Sequence, residues 1–87
     1  MAMHKPAHPG IILGEDILKE MKITITEGAS RLGISRKTLS LVVNGKARIQ
    51  ADLAVKLEIV FNKPSAEHWL RMQSAYDLYY ARLKMVA

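Results

Sequence analysis

Residues 25–44 have the sequence ITEGASRLGISRKTLSLVVN, in which small and aliphatic side chains recur at fixed offsets. Ala29 is small enough for two helices to cross closely, and Gly33, four residues later, permits the left-handed backbone of a tight turn. The apolar anchors of a second helix follow at Ile34, Leu39 and Val42. This spacing is typical of a helix-turn-helix.

The rest of the chain is divided by proline, glycine and capping residues, with apolar side chains spaced three and four apart between them. Pro9 suits the first turn of helix one, and Ser35 is a good N-cap for helix three. Thr24 and Glu27 have the spacing of a capping box for helix two. Residues 66 to about 84 form a longer fifth helix, so we predict an all-α fold of five helices. The apolar stripe predicted for helix one is Ile12, Leu13, Ile17, Leu18 and Met21.

Length and composition limit what the chain can be. With 87 residues, 49% of them apolar, it has enough chain for one small core, and we predict a flexible arm (1–8) followed by a single domain (9–87). It has no cysteine, which excludes disulfides and zinc–thiolate sites. It also has no apolar run long enough for a membrane span. We therefore expect a cytoplasmic protein without a membrane partner, whose small core favours self-association.

The positive charge is concentrated in one segment. The chain carries 13 Lys and Arg against 8 Asp and Glu, and the whole excess lies between residues 28 and 51, which contain no acid. The cations of this segment are Arg31, Arg36, Lys37, Lys46 and Arg48. Such a concentration attracts a polyanion and releases its counterions, which indicates nucleic acid. The alternative is an ordinary solvated surface.

Helix three has two distinct faces when its residues are placed at about 100° intervals. Leu39, Val42 and Val43 fall on the apolar face. The residues on or beside the opposite face, predicted to contact DNA bases, are Arg36, Lys37, Ser40 and Leu41. Cations there suit the major groove, where Arg and Lys bind guanine and apolar side chains contact thymine methyl groups. The alternative for Leu41 is an idle surface position.

Hydroxyl groups and loop cations nearby are candidates for phosphate contact. Thr24 and Thr26 lie at the start of helix two, where free backbone N–H groups favour an anion. Lys46 and Arg48 follow helix three in a loop. The simpler alternative is that the threonines only cap the helix and that the two cations are solvated loop side chains.

Helix five carries more apolar surface than packing on a four-helix core requires. Trp69 is expected to pack within the monomer. The residues predicted to form a dimer interface are Met72, Tyr76, Tyr79, Tyr80 and Leu83. A two-fold dimer would space two DNA-reading helices about one duplex turn apart. The alternative is a monomer in which helix five packs entirely within its own chain.

Catalytic and metal-binding patterns are weak. His4 and His8 have a ligand spacing but lie in a proline-bearing arm without further ligands nearby, so no metal is expected. Glu15 and Asp16 are adjacent on a helix and diverge, while Asp16 and Glu20 are more simply a solvated like-charged pair. Without a nucleophile–base pair or a phosphate loop, we predict a protein that is not an enzyme and has no cofactor or small-molecule substrate.

Several stretches together resemble a known family. Residues 23–40 (ITITEGASRLGISRKTLS) and 43–46 (VNGK) resemble the Cro/lambda-repressor type of helix-turn-helix. His8-Pro9-Gly10 with Ile12-Leu13 resembles the opening of HigA antitoxins, also called VapI or addiction-module antidote proteins. Residues 65–70 (SAEHWL) and 73–78 (QSAYDL) resemble the closing helix of that family. The resemblance covers about residues 8–82, in the expected order.

The resemblance implies a lambda-repressor-like DNA-binding domain with its helix-turn-helix at about 25–44 and a dimerisation helix at about 66–84. It implies a homodimeric antitoxin of a type II module that neutralises a HigB-like, RNA-cleaving toxin and represses its own operon through palindromic double-stranded operator DNA. By position, the base-contacting places of the family hold Arg36, Lys37 and Leu41. Its phosphate-contacting places hold Thr24, Thr26, Ser35, Asn44 and Lys46.

Two residues depart from the family pattern. Gly28 stands where alanine or leucine is usual, which weakens helix two by about 1 kcal/mol relative to alanine. Gln50 replaces the usual Ser or Thr cap of helix four, whose start is therefore poorly fixed.

Two other functions remain open. One is a stand-alone phage-type repressor without a toxin partner, which a neighbouring toxin reading frame would argue against. The other is a protein–protein adaptor that has lost DNA binding, for which Arg36→Ala with Lys37→Ala would leave function intact.

Overall fold

The computed structural model describes residues 5–86, which form helices and connecting turns and contain no strand. The first predicted helix comprises α1 and a π-helical segment that continues it. The elements are α1 (Pro9–Ile12), the π segment (Leu13–Leu18), α2 (Ile25–Leu32), α3 (Arg36–Val43), α4 (Ala51–Phe61) and α5 (Ala66–Val86). The prediction of five helices is therefore confirmed, with α5 ending two residues later than expected. Within the described part of the chain, no helix combines the length and the apolar character that crossing a bilayer demands.

Side-chain caps start α2 and α3 as predicted. The Thr24 hydroxyl oxygen accepts a hydrogen bond from the Glu27 N–H at 3.1 Å, and the Ser35 hydroxyl oxygen accepts one from the Thr38 N–H at 3.0 Å. The capping box is only half formed, because the Glu27 carboxylate accepts from Arg31, 2.7 Å away and one turn later. No side chain caps α4 at Gln50, as expected for that residue type.

Two glycines form the turns that surround α3. Gly33 ends α2 with φ 69° and ψ 32°, and Gly45 follows the end of α3 with φ 73°. Both values lie in the left-handed region, which glycine adopts without a steric penalty. Gly33 donates from its N–H to Ser30 and so closes the tight turn of the helix-turn-helix.

The π segment differs from the regular helix that the apolar stripe predicts. Its hydrogen bonds include Lys19 N–H to Gly14 O, 3.1 Å, which spans five residues. Leu13 and Leu18, five apart, are both buried as a result. The bonds from Ile23 N–H to Leu18 O, 2.8 Å, and from Lys22 N–H to Lys19 O, 3.1 Å, close the turn that follows, where Lys22 has a left-handed φ of 57°. The helix ends at Leu18, so Met21 falls in the following turn and is half exposed rather than inward.

Helix one packs on α3 through two glycines. A Cβ atom on Gly10 would overlap the Val42 carbonyl group, with 2.7 Å to its carbon atom. A Cβ on Gly14, one turn later, would lie 3.2 Å from the Cβ of Val43. The two glycines therefore allow the backbones of α1 and α3 to approach closely, which fixes the position of α3 in the fold.

His8, the last residue of the predicted arm (1–8), is instead packed into the folded structure. His8 is only 5% exposed, and its Nδ1 accepts a hydrogen bond from the Gly10 N–H at 2.9 Å, which caps α1. Lys5–Ala7 precede it outside any helix, and residues 1–4 of the predicted arm lie outside the described residues.

All helices contribute to one core. Its fully buried large apolar side chains include Leu13, Leu39, Ile49, Leu57 and Trp69. Ala29 is buried between α2 and its neighbours, as the crossing requires. Gly28 is buried as well, and a Cβ there would lie 3.1 Å from Leu39 Cδ2. The low helix propensity of Gly28 is thus accompanied by close packing that a larger residue would disturb.

Candidate nucleic-acid interface

The two faces of α3 are buried and exposed as its sequence predicts. Leu39 and Val42 are 0% and 1% exposed, because they face the core. Arg36 and Lys37 are exposed at the first turn, and Leu41 is 39% exposed. An apolar side chain with that exposure on an eight-residue helix is available for contact with a partner.

A shallow groove lies along the outer side of α3. Its lining residues are Ile25, Arg36, Lys37, Ser40 and Leu41. The four residues predicted to contact bases therefore line one continuous surface, and the first residue of α2 completes it. Ser40 is half-buried, so it forms the floor of the groove while the cations project from its edge.

Three predicted phosphate contacts have structural roles as well. Thr24 accepts the capping hydrogen bond of α2. Ser35 caps α3 and also donates to the Thr38 hydroxyl oxygen at 2.7 Å. Asn44 donates from its side chain to the Ser40 carbonyl oxygen at 2.8 Å, at the end of α3. These side chains fix the ends of the two helices, and all three are exposed.

The remaining candidates for phosphate contact differ from one another. Thr26 is exposed in the first turn of α2, and Lys46 is exposed in the loop after α3. Arg48 instead places Nη2 2.6 Å from Asp77 Oδ2 on α5. Among the described residues, the cations of the 28–51 segment without an ion pair are Arg36, Lys37 and Lys46. The unneutralised charge is therefore concentrated at the start and just beyond the end of α3.

A polar network, unforeseen from the sequence, joins α5 to the loop before α4. Gln73 is 1% exposed, and its Oε1 accepts from the Ile49 N–H at 2.7 Å. Its Nε2 donates to Asp77 Oδ1 at 2.9 Å, while the other oxygen of Asp77 accepts from Arg48. The spacing of Gln73 and Asp77, four apart on one helix, was the sequence signal that they share a face. We call these side chains the Gln73–Asp77–Arg48 network.

The pKa values of His8 and Asp77 are both lower than their ordinary values. Burial lowers the pKa of His8 below its ordinary value of 6.5, and the charge of Asp77 opposes this effect. Burial alone raises the pKa of Asp77, but hydrogen bonds from Arg48 and Gln73 and the charges of Arg48 and His8 outweigh it and lower the net pKa. His8 is therefore neutral, and Asp77 ionised, at neutral pH.

The predicted dimer residues on α5 divide into two groups. Met72 packs against the core, and Tyr76 contacts His8 edge to face with 4.8 Å between ring centroids. Tyr80 lies 4.7 Å from Tyr76 and 5.0 Å from Tyr79, so the three tyrosines form one aromatic row. The second group is Leu83 alone, which is exposed toward the end of α5. Three apolar residues of α5 that were not predicted for the interface are exposed as well: Leu78, Met85 and Val86.

Only one histidine of the pair considered for metal binding falls within the described residues. His4 lies outside the described residues, and His8 uses Nδ1 as the acceptor that caps α1. Over residues 5–86, no group of three or more His, Asp or Glu side chains converges in a way that would hold a metal ion.

Comparisons with known proteins identify the family. The HTH_3 helix-turn-helix model matches residues 15–68. Virulence-associated protein A of Dichelobacter nodosus is 45% identical over 76 residues, which are 87% of this chain and 74% of that protein. PA4674 of Pseudomonas aeruginosa in complex with its 28-bp operator DNA is similar in structure, with a TM-score of 0.83 and 37% identity over 87% of this chain and 82% of that one.

A second structure gives the same result. Antitoxin HigA of Pseudomonas aeruginosa with the higBA promoter has a TM-score of 0.84 and 36% identity to this chain, over 93% of this chain and 90% of that one. The capped helices, the glycine turn and the outward face of α3 agree with this similarity. The chain belongs to the HTH_3 helix-turn-helix family and, within it, to the HigA type, also called VapI or addiction-module antidote proteins.

Proposed function

We propose that this protein is a sequence-specific DNA-binding antitoxin that represses its own operon as a homodimer and neutralises a HigB-like, RNA-cleaving toxin. The observation that carries the DNA-binding part is the outward face of α3, where Arg36 and Lys37 stand unpaired beside the exposed Leu41. The protein acts by binding, in the cytoplasm, and carries out no catalysis.

The shape and charge of α3 support its insertion in the major groove. A groove about 12 Å wide admits one helix, and residues near the N-terminus of that helix contact base edges. Arg36 is placed to bind guanine O6 and N7 with two hydrogen bonds, and Lys37 to contact a neighbouring base. Leu41, one turn later, is placed to contact a thymine methyl group. Ser40, on the floor of the groove, supplies a hydroxyl group for a further base.

Phosphate contacts would hold the helix in this orientation. The first turn of α2 presents backbone N–H groups beside Thr24 and Thr26, an arrangement that favours an anion. Ser35 and Asn44 lie at the two ends of α3, and Lys46 follows in the loop. The comparisons support DNA binding as such, since PA4674 and the HigA protein of Pseudomonas aeruginosa were solved with operator and promoter DNA.

The exposed end of α5 supports a dimer. Leu83 is 43% exposed, and Met85 and Val86 are 85% and 80% exposed. Burial of such side chains against a second copy is favourable by about 25 cal/mol per Å² of apolar surface. The row formed by Tyr76, Tyr80 and Tyr79 continues this surface toward the body of the domain, with Met72 at its base.

The toxin partnership rests on family membership. The structure of antitoxin HigA of Pseudomonas aeruginosa is similar to this chain over 93% of the length of this chain. Co-expression of this chain with a reading frame beside its gene, followed by affinity purification, tests the partnership. Recovery of a complex that blocks RNA cleavage supports the antitoxin. A chain that binds upstream DNA and has no toxin partner is instead a stand-alone repressor.

DNA binding is tested by replacing the two cations of α3. We expect Arg36→Ala with Lys37→Ala to cost about 1–3 kcal/mol for each lost base contact and to relax sequence preference in a gel shift with the DNA upstream of the gene. A matched control removes one exposed lysine and one exposed arginine elsewhere, Lys63→Ala with Arg71→Ala. If the unaltered protein shifts no upstream DNA, and Arg36→Ala with Lys37→Ala leaves its function intact, the protein is an adaptor rather than a DNA reader. If both double variants bind the upstream DNA as the unaltered protein does, another surface contacts the DNA.

The dimer is tested at α5. We expect Leu83→Glu to convert the dimer to a monomer in sedimentation velocity, because the interface would have to bury a carboxylate. Ile59→Glu is the control, since Ile59 is 73% exposed on α4, away from the proposed interface. A monomeric unaltered protein would remove the dimer from the proposal.

A further inference from the structure

The Gln73–Asp77–Arg48 network joins α5 to the loop between α3 and α4. Gln73 and Asp77 belong to α5, Arg48 lies in the loop after α3, and Ile49 precedes α4. Gln73 Oε1 accepts a hydrogen bond from the Ile49 N–H at 2.7 Å, and Gln73 Nε2 donates to Asp77 Oδ1 at 2.9 Å. One oxygen of Asp77 therefore accepts from Gln73 while the other accepts from Arg48, and the bond from Gln73 restricts the orientation of the carboxylate.

Only part of the Arg48 guanidinium is used in this contact. Its Nη2 lies 2.6 Å from Asp77 Oδ2, and the side chain remains 53% exposed. A guanidinium group has five N–H donors in a fixed plane, so those not directed at Asp77 remain available to another acceptor. A free arginine side chain loses rotamer entropy when it is ordered, and a carboxylate that already orients it removes part of that loss in advance.

The guanidinium lies beside a second groove, on the other flank of α3 from the groove that carries Arg36 and Lys37. Its polar lining residues are Thr38 on α3, Arg48 in the loop, Gln50 directly before α4, and Asp52 and Lys56 on α4. A helix in the major groove has a phosphate strand on each side. If the face of α3 that carries Arg36 and Lys37 points at the base edges, the two phosphate strands lie along its flanks, and this second groove lies on one of them.

We propose that Asp77, held by Gln73, is a positioning residue that orients the Arg48 guanidinium toward the DNA phosphate strand on the α4 side of α3. This inference rests on the proposed DNA-binding function and adds to it a residue of α5 that acts without touching DNA. It also makes the position of a phosphate contact depend on α5, the helix proposed to form the dimer.

The proposal predicts an effect opposite in sign to simple electrostatics. Removing an acid from a DNA-binding surface strengthens binding, because repulsion of the phosphates is reduced. Loss of orientation of Arg48 weakens binding instead. Asp52→Asn is the matched control, since Asp52 lines the same groove and makes no ion pair among the described residues. The two Asp→Asn variants should therefore shift affinity in opposite directions.

The experiment is a fluorescence-anisotropy titration with a labelled 30-bp duplex from the region upstream of the gene, repeated at several KCl concentrations. We expect Asp77→Asn to weaken binding about three- to tenfold and to reduce the slope of log affinity against log salt by up to about 0.9, the value of one phosphate contact. Asp52→Asn should tighten binding slightly. In the Arg48→Ala background, Asp77→Asn should no longer weaken binding, because no guanidinium remains to be oriented and only the loss of repulsion is left.

A charge-swapped variant separates positioning from a structural role. Arg48→Asp with Asp77→Arg retains an ion pair but places the anion toward the DNA. We expect its melting temperature to exceed that of Arg48→Asp alone, while its DNA binding remains at least as weak as that of Arg48→Ala. Recovery of DNA binding by the swap would show that only the pair matters, and would overturn the proposal. So would tighter or unchanged binding by Asp77→Asn, or weakening that persists in the Arg48→Ala background.

Failure of the inference is distinguishable from failure of the proposed function. If the unaltered protein prefers the upstream duplex over a scrambled one and Arg36→Ala with Lys37→Ala removes that preference, α3 reads DNA whatever Asp77 does. If the unaltered protein shows no preference between the two duplexes, sequence-specific binding itself is refuted.

Discussion

Substitution of Gly10 tests the close approach of α1 to α3. In Gly10→Ala, the new methyl group would overlap the carbonyl group of Val42, with 2.7 Å to its carbon atom. A backbone carbonyl cannot rotate away as a side chain can, so helix one must shift outward. Relief of such overpacking costs about 1–3 kcal/mol, and the shift also exposes part of the fully buried Leu13. The better helix propensity of alanine returns about 1 kcal/mol.

We expect a net loss of about 1 kcal/mol in the free energy of unfolding of Gly10→Ala, the middle of the overpacking range less the gain in helix propensity. For a domain of this size, that loss lowers the melting temperature by about 4–8 °C. Urea unfolding followed by circular dichroism measures the first quantity, and thermal unfolding the second.

Gly14→Ala is the internal comparison for this prediction. Its Cβ would lie 3.2 Å from the Val43 side chain, which is able to move, so the loss should be smaller than at Gly10. Ser74→Ala, on the exposed side of α5, should change stability little. A Gly10→Ala protein as stable as the unaltered one would show that α1 does not approach α3 as closely as described.

Three further predictions concern buried and charged groups. Because folding lowers the pKa of His8, neutral His8 stabilises the fold fully above pH 6.5, and this contribution is lost as the pH falls below that value toward the folded-state pKa. His8→Asn retains a capping side chain and should flatten the pH dependence of the free energy of unfolding, measured in urea titrations from pH 7.5 to 5. The pKa of Asp77 is lowered as well, so its contribution is present above about pH 3.8 and is lost as the pH falls further; Asp77→Asn should lose less stability than the unaltered protein between pH 5 and 2.5, and equal losses would contradict the ion pair. Gln73→Leu leaves the Ile49 N–H without its acceptor and should cost about 1–3 kcal/mol in urea unfolding; a cost close to zero would mean that water reaches that N–H.

Local signals account for what the sequence predicts well. The caps at Thr24 and Ser35 and the turns at Gly33 and Gly45 involve residues no more than five positions apart, so the chemistry that forms them is visible in the sequence. The same holds for the inward and outward sides of α3, because a regular helix repeats every 3.6 residues. The groove residues Arg36, Lys37, Ser40 and Leu41 could be named for this reason.

Helix one was predicted less well, for a physical reason. Its apolar spacing fits a regular helix. In the structure, however, Leu13 and Leu18 both pack in the core, and the Lys19 N–H donates to the Gly14 carbonyl oxygen, five residues earlier. Propensity is a weak preference that tertiary packing overrides. The spacing of Gly10 and Gly14, one turn apart, was a signal of close helix packing that the sequence did contain.

The sequence by itself determined the helices, their caps, the tight turn and the two faces of α3, because each depends on neighbours along the chain. Only the tertiary structure decided which charges and polar groups meet. Arg48 is separated from Asp77 by 29 positions, and Ile49 from Gln73 by 24. His8 lies against Tyr76 although the two are at opposite ends of the chain. Such contacts follow from how α5 folds back over the body of the domain, and no local pattern of residues specifies that path.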